Sequence, residues 1–116
     1  MAAMLDHTVV NAEPCRAAAS DPALLATDLA DYLVSKGMAF RQAHHVVGAV
    51  VAYAEKTHKP LNRISLAELR AIEKQFGDDA QEVFNLKAAM ERRKITGAPG
   101  TAEVRKQLAR WSKLLK

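Results

Sequence analysis

The chain is poor in cysteine, in aromatic rings and in long apolar runs, and each shortage removes a class of protein. A lone Cys15 cannot close an intrachain disulfide, so nothing in the sequence calls for an oxidising compartment. No apolar run approaches the roughly 20 residues needed to cross a bilayer. The N-terminus has no basic region followed by an apolar stretch, so it does not read as a signal peptide. A soluble cytoplasmic protein is the expectation, with no membrane partner. Three Phe, two Tyr and one Trp leave little material for aromatic-rich strands, and the β-branched residues are scattered.

What is present favours helices. Twenty-two of the 116 residues are alanine, the best helix former, and hydrophobic residues make up 49%. A chain of this length makes one domain that buries roughly two-thirds of its unfolded surface. Charge is lopsided: residues 1–62 carry five Lys/Arg against six Asp/Glu, and residues 63–116 carry twelve against seven. From Arg92 onward eight basic residues face one acid, Glu103. Such a tail reads as a solvated helix face, with a nucleic-acid surface as the minority alternative.

The periodicity predicts an all-α fold, a small orthogonal bundle of about five helices with short loops. Met1 to His7 reads as the end of a helix, and Asn11 stands where it would cap a short helix through Ala19. Asp21-Pro22 is a strong start signal, and Leu25, Leu29 and Leu33 then recur every four residues as one stripe. Lys36-Gly37 closes that helix with a terminal cation and a left-handed glycine. A second helix over Ala39–Thr57 carries Phe40, Ala43, Val47, Val50, Val51 and Ala54 inward. Gly48 inside it costs about 1 kcal/mol relative to Ala and predicts close approach of another helix. Ser65-Leu66-Ala67-Glu68 is a capping box with Ile64 and Leu69 as its staple, opening a helix that ends at Gly77. Asp78 or Asp79 starts a short turn to Phe84, and Asn85 caps a short helix through Arg93. After Gly97-Ala98-Pro99-Gly100, Thr101 is the expected cap of a last helix with Val104, Leu108, Trp111 and Leu115 as its apolar stripe and Arg105, Lys106, Arg110 and Lys113 mostly on the other side.

Candidate chemistry is sparse. Histidine is the usual acid–base side chain, which makes His44 a candidate, but its place beside Phe40, Val47 and Val51 reads as half-buried and hydrogen-bonded rather than as acid–base machinery. His45 lies about 100° further round and reads as solvated or at a subunit contact. Neither has a second ligand four residues on, and Cys15 with the histidines matches no zinc spacing, so no metal is expected. Asp28 and Asp31 share a helix face, read as solvated or paired with Arg41 or Lys36. No phosphate loop, serine elbow or dinucleotide fingerprint occurs, so no cofactor is expected.

Six segments in order resemble the C-terminal domain of argininosuccinate lyase, of the fumarase/aspartase-type superfamily. Leu24 to Gly48, LLATDLADYLVSKGMAFRQAHHVVG, carries the densest likeness, including Asp28, Asp31, Lys36, Gly37, Phe40, Arg41, His44 and Gly48. Thr8-Val9-Val10-Asn11 with Arg16-Ala17-Ala18-Ala19, Lys59-Pro60-Leu61, Ile64 to Leu69, Phe76-Gly77-Asp78-Asp79 through Val83, and Val104 to Trp111 complete it. One departure is Gly97-Ala98-Pro99-Gly100, where many members have Gly-Gly-Thr-Ala.

The resemblance implies a reversible β-elimination that splits argininosuccinate into arginine and fumarate. It also implies that the catalytic serine sits in a mobile Gly-Ser-Ser-x-Met-Pro-x-Lys-x-Asn loop, with a histidine partner in an earlier domain. Neither motif is in these 116 residues, whose serines at 20, 35, 65 and 112 have other contexts. No catalytic residue is therefore assigned; the motif residues are expected to serve structure or interface. Residues 1–20 are expected to be the remnant of a helix and linker from the central bundle, and 21–116 the C-terminal domain. The expected partners are the rest of the lyase chain or its homo-oligomer, with self-association through Met1, Met4, Leu5 and Val9. A stand-alone interaction module is the alternative function.

Overall fold

The structure is a computed structural model that describes residues 2–115. Among them the chain forms seven α-helices, two more than the five expected, and three short 3-10 segments, with no strand. The helices are α1 (Ala2–Asp6), α2 (Ala12–Ala19), α3 (Ala26–Ser35), α4 (Phe40–Thr57), α5 (Leu66–Ile72), α6 (Leu86–Arg92) and α7 (Thr101–Leu114). The 3-10 segments are Pro22–Leu25, Leu61–Arg63 and Asp78–Phe84. No helix among the described residues is long and apolar enough to cross a membrane.

The α3–α4 hairpin is the centre of the fold, and its ends are written locally. The Asp21 carboxylate accepts the Ala23 N–H at 2.9 Å, so Pro22 opens a 3-10 turn that runs into α3. At the other end Gly37 takes φ +96°, the Gly37 N–H donates to the Val34 carbonyl at 2.9 Å, and Met38 N–H to Leu33 at 3.1 Å. This pair of bonds is a Schellman stop, sealed by burial of Met38 and Leu33. Opposing stripes then meet: Leu29, Ala30 and Leu33 from α3 against Ala43, Val47, Val50 and Ala54 from α4. Ile64, Leu69, Phe76, Ala80 and Val83 close the core from the other side. Each fully buried Leu, Ile or Phe contributes about 1.5–3 kcal/mol of transfer free energy.

Three expectations for α4 fail for one geometric reason. The buried residues centre its inward face between Ala43, Val47, Val50 and Ala54. At 100° per residue, Phe40 lies about 50° from that centre, His44 about 90° and Gly48 about 130°. Phe40 is accordingly 61% exposed, His44 is exposed rather than half-buried, and Gly48 faces open space with no helix against it.

Two further expectations are corrected downstream. The helix opened by the Ser65 capping box stops at Ile72 instead of running to Phe76. Glu73 becomes extended there, and the Arg70 guanidinium bonds the Phe76 carbonyl at 2.8 Å, which lets Phe76 turn into the core. Gly100, extended at φ −60° and ψ 139°, is the cap of α7, and Thr101 is already its first helical residue. A Cβ at Gly100 would lie 2.7 Å from the Arg93 carbonyl oxygen, so the close approach calls for glycine. On α7 the buried residue is Glu103, whereas Val104, Leu108, Trp111 and Leu115 are exposed. The N-terminal helices are equally uncovered: every residue from Ala3 to Ser20 is exposed. Asn11 precedes α2 as expected but makes no side-chain cap bond.

These contrasts predict opposite outcomes at two glycines. Gly48→Ala should raise stability by about 0.5–1 kcal/mol, since the site is helical and unobstructed. Gly100→Ala should lower it by more than about 1 kcal/mol through the clash with Arg93. Urea unfolding of both variants measures this, and a destabilised Gly48→Ala would show that α4 is packed on that side.

Candidate functional site

The polar row of α3 does the work that its apolar stripe cannot. Asp28, Tyr32 and Lys36 are four apart and lie one above the next on the helix face beside the core. Asp28 is in the first turn, where a carboxylate favours the helix dipole, and its side chain is only 9% exposed. It is not solvated and does not pair with Arg41 or Lys36. Arg93 donates to its Oδ2 at 2.9 Å, and Arg92 stands 3.8 Å from its Oδ1. Arg93 also donates to the Ala89 carbonyl at 2.7 Å, so one guanidinium ties α3 to α6. The first two residues of the basic tail, Arg92 and Arg93, thus act as clasps between α3 and α6.

The other end of the row holds the 3-10 segment Asp78–Phe84. The Tyr32 hydroxyl donates to Asp79 Oδ1 at 2.5 Å and accepts the Gly77 N–H at 3.1 Å. Lys36 Nζ lies 3.1 Å from Asp79 Oδ2 and 5.2 Å from the Tyr32 ring centroid. The Tyr32 hydrogen bond, then the Lys36 one, holds the Asp79 carboxyl below its usual range. Burial, then the bond to Asp79, pushes the Tyr32 phenol up. Its ring stacks on Phe76 with centroids 6.4 Å apart.

A second hub sits at Glu68. One oxygen completes the capping box with Ser65, while the other accepts from Lys59 Nζ at 2.5 Å and the Tyr53 hydroxyl at 2.6 Å. The ammonium of Lys59, then the Tyr53 hydroxyl and the Ser65 N–H, drive this carboxyl well below the carboxylate range. Sequence reasoning found the cap but missed that it also joins α4 to α5.

Asp28, Asp31, Tyr32, Ser35, Ala89, Arg92 and Arg93 line a hollow of about 300 Å³ between α3 and α6. Asp31 is exposed there, so the two aspartates sit in different surroundings: one clasped, one wet. Gly37 and Lys36 serve the fold, while Phe40, Arg41, His44 and Gly48 form an uncovered face of α4. Phe40 and His44 pack on each other there, ring centroids 4.6 Å apart. Among the described residues no three His, Cys, Asp or Glu side chains gather as metal ligands do. The arrangement clasps helices and presents a face.

Comparison with known proteins agrees with that architecture. A family described as argininosuccinate lyase C-terminal matches residues 23–91. The chain belongs to the argininosuccinate lyase C-terminal family. All the buried apolar residues, Leu25 to Ala89, lie inside the matched span, and α1, α2 and α7 lie outside it. Among full-length relatives, the argininosuccinate lyase of Nitratidesulfovibrio vulgaris is 46% identical over 112 residues, 97% of this chain and 24% of its own length. That of Desulfovibrio desulfuricans is 41% identical over 109 residues, 94% of this chain and 23% of its own. That of Thioalkalivibrio sulfidiphilus is 45% identical over 105 residues, covering 90% and 22%. The chain therefore spans about a quarter of the length of these relatives.

Two outcomes test the clasps. Asp28→Ala should cost about 1–3 kcal/mol in urea unfolding, because it strands two guanidinia; an effect under about 0.5 kcal/mol would make the pair ornamental. Glu68 is depressed in the folded chain, so its contribution is present above the unfolded value near 4.3 and is lost as pH falls below it. Glu68→Gln should destabilise at pH 7, and that difference should begin to shrink as pH falls below about 4 and keep shrinking through about pH 2. A difference that does not change with pH would show that Glu68 acts through packing alone.

Proposed function

We propose that the chain is the C-terminal structural and accessory domain of a cytoplasmic argininosuccinate lyase, the enzyme that splits argininosuccinate into arginine and fumarate in arginine synthesis. Residues 1–20 are the end of the helix and linker leading from the central bundle, and residues 21–116 are the domain proper. Its role is to cover and brace the active-site end of that bundle. Its partners are the rest of the lyase chain or the lyase homo-oligomer. The carrying observation is how the family's polar motif is used: Asp28, Lys36 and Gly37 fold the domain, and Phe40, Arg41, His44 and Gly48 form an uncovered face. A 61% exposed phenylalanine on such a face suits a surface that meets another part of a larger assembly.

No residue of this chain is assigned to catalysis, and the isolated chain is inactive. The described cluster most like a site, Asp28 with Asp31, has one carboxylate already held by two guanidinia, which leaves no pair to divide acid and base roles. An interaction module acting alone is the second reading, favoured by Met4, Leu5 and Val9, which are 70–85% exposed. Met1, expected beside them, lies outside the described residues.

The test is direct. Purified chain mixed with argininosuccinate should produce no fumarate absorbance at 240 nm above a buffer control. Release that scales with protein concentration would overturn the accessory reading.

A further inference from the structure

The last two turns of α4 meet the Pro22–Leu25 and Leu61–Arg63 segments around a hollow of about 490 Å³. Its floor is apolar, built from Pro22, Ala26, Val51, Ala54, Pro60 and Leu61. Its rim is polar, with Asp21, Glu55, His58 and Lys59. That volume and that division are those of small-molecule sites, which are mostly apolar with a few converging polar groups. The hollow belongs to the self-supporting body, whose Leu25, Ala54 and Leu61 are buried around it. The N-terminal helices, exposed from Ala3 to Ser20, leave it uncovered.

A strained residue stands at the rim. His58 caps α4 in the left-handed conformation, φ +52°, and among the described residues every other positive φ belongs to a glycine. Helices commonly end on glycine at such a position, because an L side chain there crowds the following carbonyl. The stop itself is made by backbone groups. The Lys59 N–H donates to the Ala54 carbonyl at 3.0 Å, and the His58 N–H donates to the Glu55 carbonyl at 3.2 Å. The imidazole does not close the helix. Its place in the wall of the hollow gives it a use that glycine could not supply.

The rim charges select the ligand. Glu55 is exposed, and its carboxylate makes no ion pair among the described residues. The Asp21 carboxylate accepts the Ala23 N–H and lines the same rim. The one lysine there, Lys59, is held by Glu68 at 2.5 Å. The carbonyl end of the 18-residue α4 adds the negative pole of its dipole. The field over the apolar floor is therefore negative. We propose that this hollow is a binding site for a small primary amine with an apolar body. The ammonium faces the Glu55 and Asp21 carboxylates, the body lies on Val51, Ala54 and Leu61, and the His58 ring forms one wall. An anion of the same shape is repelled, and a neutral molecule gains only the floor. This inference goes beyond the lyase reading. Its test uses no argininosuccinate, so either can fail without the other.

Benzylamine, benzyl alcohol and benzoate share one ring and differ in charge. Each is titrated to about 20 mM into the isotope-labelled full chain at low ionic strength, a range suited to ligands this small. Nuclear magnetic resonance then follows the amides of Ala26, Val51, Ala54 and Leu61. Benzylamine should shift these amides about three- to fivefold more tightly than benzyl alcohol, and benzoate should be the weakest. Salt at about 0.5 M should erase that order. Glu55→Lys should abolish the preference for benzylamine and leave benzyl alcohol unchanged. His58→Gly should weaken both severalfold without lowering the urea midpoint, since glycine adopts this φ freely. No shift at those amides, or shifts spread over the whole surface, would overturn the proposal. Equal affinity for the three probes would overturn the ammonium assignment. A His58→Gly chain that binds as tightly as the parent would remove the ring from the site.

Discussion

The ten residues of α3 and its cap Lys36 have to satisfy two neighbours that cannot be reached by the same chemistry. Toward α4 the helix offers Leu29, Ala30 and Leu33, which bury against a complementary stripe. Toward α6 and the Asp78–Phe84 segment it offers Asp28, Tyr32 and Lys36, which bind through ions and hydrogen bonds. Both sets recur at helical spacing, so each exists only while the helix does. This coupling explains why short helices such as α5 and α6, at seven residues each, hold their places: isolated helices of that length are marginal in water. The electrostatic half is modest at the solvent-facing Lys36–Asp79 pair and larger where Asp28 is nearly out of water.

The same constraint separates the domain into a clasped body and free ends. Buried apolar residues stop at Leu25 on one side and Ala89 on the other. Beyond those points α1 and α2 expose every side chain that is described, and α7 keeps only Glu103 inside. The span matched by the argininosuccinate lyase C-terminal family, 23–91, coincides with the body. The elements outside it have apolar residues but no body-facing partner for them. Those elements keep their apolar residues in water, whereas the body holds itself together.

Local signals were the legible part of the sequence. Asp21-Pro22, Gly37, Ser65 with Glu68, and Asn85 each act on backbone groups within a few residues, and all four behave as their types predict. Stripes were legible only where they had a partner. The Leu29–Leu33 stripe meets α4, but the Val104–Trp111 stripe looks identical on paper and meets nothing within the chain. An amphipathic pattern reports a wish for burial and does not say against what. Pairings distant in sequence were not legible. Asp28 meets Arg93 across 65 residues and Tyr32 meets Asp79 across 47, and nothing local marks either carboxylate as the chosen one. The i, i+4, i+8 spacing of Asp28, Tyr32 and Lys36 was the available hint that one face of α3 carries a polar seam.

The claim that α3 couples its neighbours into one body is tested most directly by native-state hydrogen exchange on dilute protein. The account predicts that amides near the centres of α3 and α4, such as Leu33 and Val50, and those of the α6 clasp, such as Ala89, open with one shared free energy. Added urea should lower all three together, while α2 and the outer turns of α7 exchange through far cheaper openings. Amides of α6 that exchange independently of α3, or protection spread evenly from α2 to α7, would contradict it.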